Sequence, residues 1–421
     1  MMYINDDFYD NNQFGHYYRQ FDAIPLIRDC RGHRLAVCLQ DTAQWIALVL
    51  YLKERGGSVV PLPATLPIAA ARRTAIQADS HLLVYQHLEQ IEVLENSSGS
   101  VTPGLVQFSS GTTGAPKCIE RSWSDINQEL QHYNIALRDA QQMNVIVCCP
   151  VTHSYGLLCG VLASFKRGQQ PIILTELNPK YVLKKLQQVS NSLLYSSPTM
   201  LDVLAKLMPP SQSFHAVMTS GSMMSVTQFK TIGARTQYLF QQYGCSEAGC
   251  ISLTSNCQSV TDMGKPLTHF QLKAGSNAQQ PEEIIVKTVH KDIFTRDLGY
   301  LDSQGNLHFV ARLDDTINVA GINVYPQEVE SVLLQYPDIN EAVVYKRADT
   351  FAGERVCLKF TADSTINIRA LRDWCATELS PYQIPLEIEQ VTQIPKLANG
   401  KINRRELTEI KTEQDKELLR A

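Results

Sequence analysis

No Cys-x-x-Cys pair occurs in this chain: its 11 cysteines are scattered over 421 residues, and only Cys148 and Cys149 are adjacent. That scatter excludes a cysteine-rich zinc site and a small disulfide framework, and leaves buried reduced thiols as the expectation. Neither sign of charge is in excess, with 38 basic against 42 acidic side chains and a net charge of −4. Nothing in that balance favours nucleic acid as a partner. Long apolar runs are missing too. The longest, Trp45 to Leu52, is far shorter than the ~20 residues of a bilayer-spanning helix. The first residues, MMYINDDFYDNNQFGHYY, are polar and acidic where a secretory leader has a basic start and an apolar stretch. The expected location is the cytoplasm. There is no internal repeat, low-complexity tract or heptad pattern. What remains is a globular composition, 44% hydrophobic, in a chain long enough for two or more domains.

Residues 105–121, LVQFSSGTTGAPKCIER, stand out from this background. Residues 105–108 read as a buried strand. Ser109, Ser110, Gly111, Thr112, Thr113 and Gly114 then offer backbone N–H groups with little side-chain bulk, and four hydroxyls. Such a loop suits phosphate, although its composition alone equally fits an ordinary Ser/Thr/Gly turn. Lys117, behind Pro116, adds a cation. A Walker A loop needs glycine directly before its lysine and Ser or Thr directly after it. Pro116 and Cys118 occupy those places, and the next residues read as a strand rather than a helix, so this is a phosphate loop of another kind.

Around it the chain alternates strands and helices. Residues 35–39 read as a strand, Asp41 as the cap of a helix ending at Gly56-Gly57, and residues 58–62 as the next strand. Ile126, Leu130, Tyr133 and Leu137 fall on one helical face. Strands are expected at 145–149, 172–174, 193–195, 216–219 and 238–241, with helices at 179–189 and 199–207 between them. This rhythm predicts a largely parallel, covered sheet, whose ligand loops gather at the carboxyl ends of its strands. Three polar or glycine-rich segments sit after strands: His153, Ser220-Gly221-Ser222, and Tyr243-Gly244-Cys245-Ser246-Glu247. Singly each is ordinary, a lone loop histidine being more often structural; their shared position points to a common ligand face. From about Asp315 the chain reads as a separate small α/β domain. Val329, Val332, Leu333 and Tyr336 form its first helical stripe, strands follow at 342–345 and 356–360 and a helix at 368–379, and Asn399-Gly400-Lys401 reads as a turn.

Ser-Ser-Gly-Thr-Thr-Gly-x-Pro-Lys resembles the signature loop of the adenylate-forming superfamily, the acyl- and aryl-CoA ligases and adenylation enzymes. Tyr-Gly-x-Ser-Glu at 243–247, Arg-x-Asp-Asp at 312–315 and Pro-x-x-x-x-Gly-Lys-x-x-Arg at 395–404 extend the resemblance in order. It implies an α/β fold with a large N-terminal domain of covered, largely parallel sheets (1–313) and a small mobile C-terminal α/β domain (314–421), hinged at Asp314. It also implies activation of a carboxylic acid by ATP and Mg²⁺ to an acyl-adenylate, then transfer to a thiol of coenzyme A or of phosphopantetheine on a separate carrier protein. By the resemblance, Ser109 to Gly114, Thr112 among them, and Lys117 hold the phosphates. Ser220, Gly221, Ser222, Tyr243 and Gly244 surround the adenine. Ser246 meets the α-phosphate, Glu247 holds the metal, Asp297 and Arg312 hold the ribose, His153 lies beside the substrate carboxylate, and Lys401 is catalytic. The segment around His153 lacks the aspartate that pairs with an amino acid's ammonium group. That absence points to an aryl or acyl acid, and the compact N-terminal part to an aromatic or short one. Arg296 stands where the family has glycine and Asn318 where it commonly has lysine. A nucleotide-binding relative without full ligase activity is the alternative these departures raise.

Overall fold

The computed structural model describes residues 1–95, 99, 101–109, 117–320, 322–349, 352–396, 402, 404 and 406–408, with only the backbone of Ser109. Ser110, Gly111, Thr112, Thr113, Gly114 and Lys401, all expected site residues, lie outside the described residues.

A six-stranded sheet runs Ile91–Val93, Leu82–Gln86, Arg34–Leu39, Ser58–Pro61, Gly104–Ser109, Lys117–Ser122; its four inner strands are parallel and its two edges antiparallel. Every residue of Arg34–Leu39 is buried, as expected of a central parallel strand covered on both faces. Helix Thr42–Arg55 starts where Asp41 accepts the Ala43 and Gln44 N–H groups at 2.8 and 3.1 Å, and stops at Gly56, whose φ is +78°. Buried side chains surround it on all faces, so it is a core helix and not a surface one. With helix Trp123–Ala136 it shares a core that also draws on the large sheet, including Trp45, Tyr51, Tyr133, Tyr195 and Phe240.

That large sheet has thirteen strands. Asn144–Val147, Ser192–Ser196, Phe214–Thr219 and Thr236–Cys245 are parallel neighbours in register. From Thr236–Cys245 onward the sheet turns antiparallel through Gly249–Thr254, Asp262–Pro266, Leu307–Arg312, Asp292–Leu301 and Glu282–Lys287. The expected parallel order therefore covers only part of it. The reason is connection length: residues 246–248 link two strands directly, whereas a parallel crossover takes a dozen residues or more. Residues 1–30, unreadable beyond their aromatics, join the two sheets. Met2–Ile4 adds a parallel strand against Ile172–Ile173, and helix Asn11–Ala23 lays Tyr18 and Phe21 edge-on to Tyr51 at 5.2 and 5.3 Å.

A third sheet of five strands, Ile317–Val319 to Glu387–Gln390, carries helices Pro326–Leu333 and Ile368–Glu378. It has its own core of Ile317, Val329, Leu333, Val344, Leu358, Phe360 and Leu371. No helix among the described residues is long and apolar enough to cross a membrane.

Candidate active site

Strands Gly104–Ser109 and Lys117–Ser122 form an antiparallel hairpin with Ser109 opposite Lys117, so the glycine-rich segment 110–116 connects the two strands at that end. Lys117 is exposed there. Two ion pairs brace the returning strand. Arg34 meets Glu120 at 2.7 Å, and the buried Arg121 pairs with the buried Glu129 of helix Trp123–Ala136. Glu129 also accepts the N–H of Cys250 at 2.7 Å. Cys250 lies just past the turn that carries Ser246 and Glu247, so one carboxylate ties the signature hairpin to that turn. Neither Arg121 nor Glu129 was expected to have a role. The available signal was a glutamate between Ile126 and Leu130, inside the apolar stripe, where a charge is buried only if paired.

Parallel register sets the next segments side by side. Ser196, Thr219 and Gln241 are cross-strand partners, which puts Ser220 just beyond the sheet edge with its hydroxyl donating to the Gln242 carbonyl at 3.3 Å. Tyr243, Gly244 and Cys245 do not follow a strand, as the sequence suggested, but extend one: they pair with Gly249, Cys250 and Ser252 across a register shift. Gly244 is required there, because a Cβ would stand 2.2 Å from the Gly249 carbonyl oxygen. Only Ser246, Glu247 and Ala248 form the turn, Ser246 and Glu247 half-buried.

His153 is exposed at the end of a turn closed by its N–H to the Pro150 carbonyl, and its own carbonyl accepts the Leu157 N–H at 2.9 Å. A π-helix, Tyr155–Leu162, follows, a widened turn that no residue pattern announces and a form that recurs at functional sites. Ser154 donates to Gln107 of the signature hairpin, and Tyr155 donates to the Met218 carbonyl at 2.6 Å. The His153 turn thus sits between the hairpin and the end of strand Phe214–Thr219.

Asp297 is buried on strand Asp292–Leu301, opposite Arg312 in register. Its carboxylate accepts from Tyr243 OH and from Arg312 Nη1, each at 2.6 Å. Burial, then the Asp297 charge, hold the Tyr243 phenol well above its ordinary range, so it remains a donor. Arg296, just before Asp297, has φ +61°, in the left-handed region that glycine adopts most readily. Its guanidinium pairs with Asp314, which also lies 4.0 Å from Arg312. Tyr243, Asp297, Arg312, Asp314 and Arg296 are therefore one connected string. Asn318 sits further on, its side-chain N–H donating to Asn323 at 3.1 Å.

At the far end of the chain, Lys396 and Ile402 pair across the segment that contains Lys401. Arg404 anchors this end to the third sheet, donating to Glu330 at 2.6 Å and to the Val344 carbonyl at 3.1 Å.

The chain matches two family profiles, AMP-binding enzyme over residues 101–281 and AMP-binding enzyme C-terminal domain over residues 328–401. It is 39% identical over 415 residues to a 3,4-dihydroxybenzoate–(aryl-carrier protein) ligase of Bacillus anthracis, an alignment covering 98% of this chain and 100% of the relative. A 2-succinylbenzoate–CoA ligase of Bacillus subtilis is 26% identical over 77% of this chain and 72% of its own length. Among solved structures, ATP-bound MatB from Rhodopseudomonas palustris superposes with a TM-score of 0.84 at 16% identity, over 98% of this chain and 96% of that one, a likeness of fold. The chain belongs to the adenylate-forming AMP-binding enzymes, ligases that activate a carboxylic acid with ATP and pass its acyl group to a thiol.

Proposed function

We propose that this protein activates a hydroxylated aryl acid of the dihydroxybenzoate type and transfers it, in the cytoplasm, to the phosphopantetheine thiol of a separate carrier protein. The observation that carries this reading is the full-length similarity to an aryl-carrier protein ligase, on a chain whose His153 turn presents no carboxylate for an amino acid's ammonium group.

The chemical problem is to bring two anions, a carboxylate and a triphosphate, into line. Catalysis then lies in placement and positive charge, and needs no general base, because the acid is already ionised at neutral pH. Lys117 and the loop from Ser109 to Gly114 would hold the departing pyrophosphate, with Thr112 donating to it. Ser246 would meet the α-phosphate, Tyr243 and Ser220 to Ser222 would border the adenine, and Asp297 with Arg312 would take the ribose hydroxyls. Glu247 would hold Mg²⁺. A single carboxylate suits a hard cation that takes its remaining ligands from the nucleotide's phosphates and water. When bound, the ion neutralises phosphate oxygens. Lys401 would bridge the substrate carboxylate and the α-phosphate. For transfer, the unit 314–421 would turn at Asp314 relative to 1–313, withdrawing Lys401 and opening a path for the thiol.

The test is acid-dependent exchange of labelled pyrophosphate into ATP, followed by transfer to a phosphopantetheinylated aryl carrier protein or to coenzyme A. Exchange with dihydroxybenzoates, abolished in Lys401→Ala while ATP still binds, and transfer preferring the carrier protein are expected. Exchange with aliphatic acids alone, or transfer to coenzyme A alone, would overturn the reading.

A further inference from the structure

We propose that Arg296 is a positioning residue: its ion pair with Asp314 latches the link between the two units and sets how readily the enzyme passes from acid activation to acyl transfer. The proposal rests on the hinge assigned to Asp314 above.

Arg296 holds a backbone conformation that side-chain-bearing residues other than Asn, Asp and His seldom adopt, φ +61° in the middle of a strand. Such strain persists where the surroundings over-determine it. Here the Arg296 N–H donates to Glu283 at 2.9 Å, and its carbonyl accepts the Leu313 N–H at 2.8 Å. Glycine would satisfy both bonds without strain. What glycine lacks is the guanidinium, and that group reaches Asp314, whose side chain is 16% exposed. Arg296 thus grips residues 313–314 twice, once through its carbonyl and once through its charge.

The grip is also connected to the nucleotide end of the site. Arg312 lies 2.6 Å from Asp297 and 4.0 Å from Asp314, so Asp314 is flanked by two guanidiniums, one of them shared with the carboxylate assigned to the ribose. Rotation about the N–Cα bond of Asp314 would carry its carboxylate away from Arg296 and break the pair. Because the Arg296 side chain is 53% exposed, the pair is open to salt and is of a strength that allows reversible release.

The test uses the full chain with Arg296→Asn, which tolerates the left-handed backbone and loses the charge, and Arg296→Lys, which keeps the charge. Three quantities are read: acid-dependent pyrophosphate exchange, single-turnover transfer to the thiol, and amide hydrogen exchange over residues 312–318. In Arg296→Asn the ratio of the two rates is expected to change roughly two- to fivefold and residues 312–318 to exchange faster. Added salt should move the wild type toward Arg296→Asn and leave that variant unmoved, and Arg296→Lys should restore most of the wild-type ratio. A ratio and an amide exchange that match the wild type overturn the latch, as does a parallel fall of both rates with unchanged amide exchange. If no acid supports pyrophosphate exchange while the amide exchange still responds to Arg296→Asn and to salt, the restraint on the link stands, and its control of the two steps falls together with the proposed activity.

Discussion

Glu129→Gln should destabilise the large unit by about 3–5 kcal/mol, the cost of removing one partner from a buried ion pair. Glu129 is 1% exposed and faces a guanidinium that is itself buried. Glutamine keeps the shape and an oxygen for the Cys250 N–H, but turns an amide donor or a neutral oxygen toward Arg121, whose charge then lies uncompensated in the core. Spread over a unit of about 300 residues, the loss corresponds to a melting shift of about 5–8 °C. Tryptophan fluorescence reports it directly, since Trp45 and Trp123 both belong to the core that this pair borders. The double variant Arg121→Met/Glu129→Gln is the decisive partner. It removes the stranded charge and keeps the acceptor for Cys250, so it should recover to within about 1–2 kcal/mol of the wild type. A single-variant shift below about 2 °C, or a double variant as unstable as the single, would refute the reasoning.

Asp297→Asn leaves one neutral acceptor oxygen where the carboxylate serves both Tyr243 and Arg312; ATP binding measured calorimetrically should weaken about tenfold or more, the scale of one lost charge-assisted bond. At alkaline pH the buried phenols decide the outcome. Tyr133, Tyr155 and Tyr243 are held neutral well above their ordinary range, chiefly by burial, whereas in the unfolded chain they ionise near pH ~10. Above that pH the folded state retains protons that the unfolded state releases, so the urea midpoint should be flat to about pH 9.5 and fall beyond it. On the acid side, burial, then His132 and Arg121, push the His269 imidazole down from 6.5 to about 4. The unfolded chain takes up that proton first, so stability should fall as pH drops from 6.5 toward 4, and His269→Phe should flatten that limb of a midpoint-against-pH curve.

Where structure is local or obeys parallel-sheet geometry, the sequence was readable. The helix from Asp41 to Gly56 announces both its ends by chemistry, and segments placed after successive strands had to meet at one sheet edge, as Ser220 and Gln242 do at 3.3 Å. What escaped was what depends on distant partners. Nothing in the run Gln241 to Glu247 says that a strand continues through Cys245, because that continuation is supplied by Gly249–Thr254 folding back on it. A glutamate at 129 announces a buried charge but not that its partners are Arg121 and a backbone N–H at 250. Arg296 marks the sharpest limit. In the sequence it is only a departure from an expected glycine, from which a changed backbone would be a fair inference. The backbone here is left-handed, held by hydrogen bonds to Glu283 and Leu313, and the side chain that a glycine would lack pairs with Asp314. The hydrogen bonds that hold this left-handed arginine come from residues 283 and 313, far from it in sequence or beyond its own strand, and no reading of residues 295–297 alone could supply them.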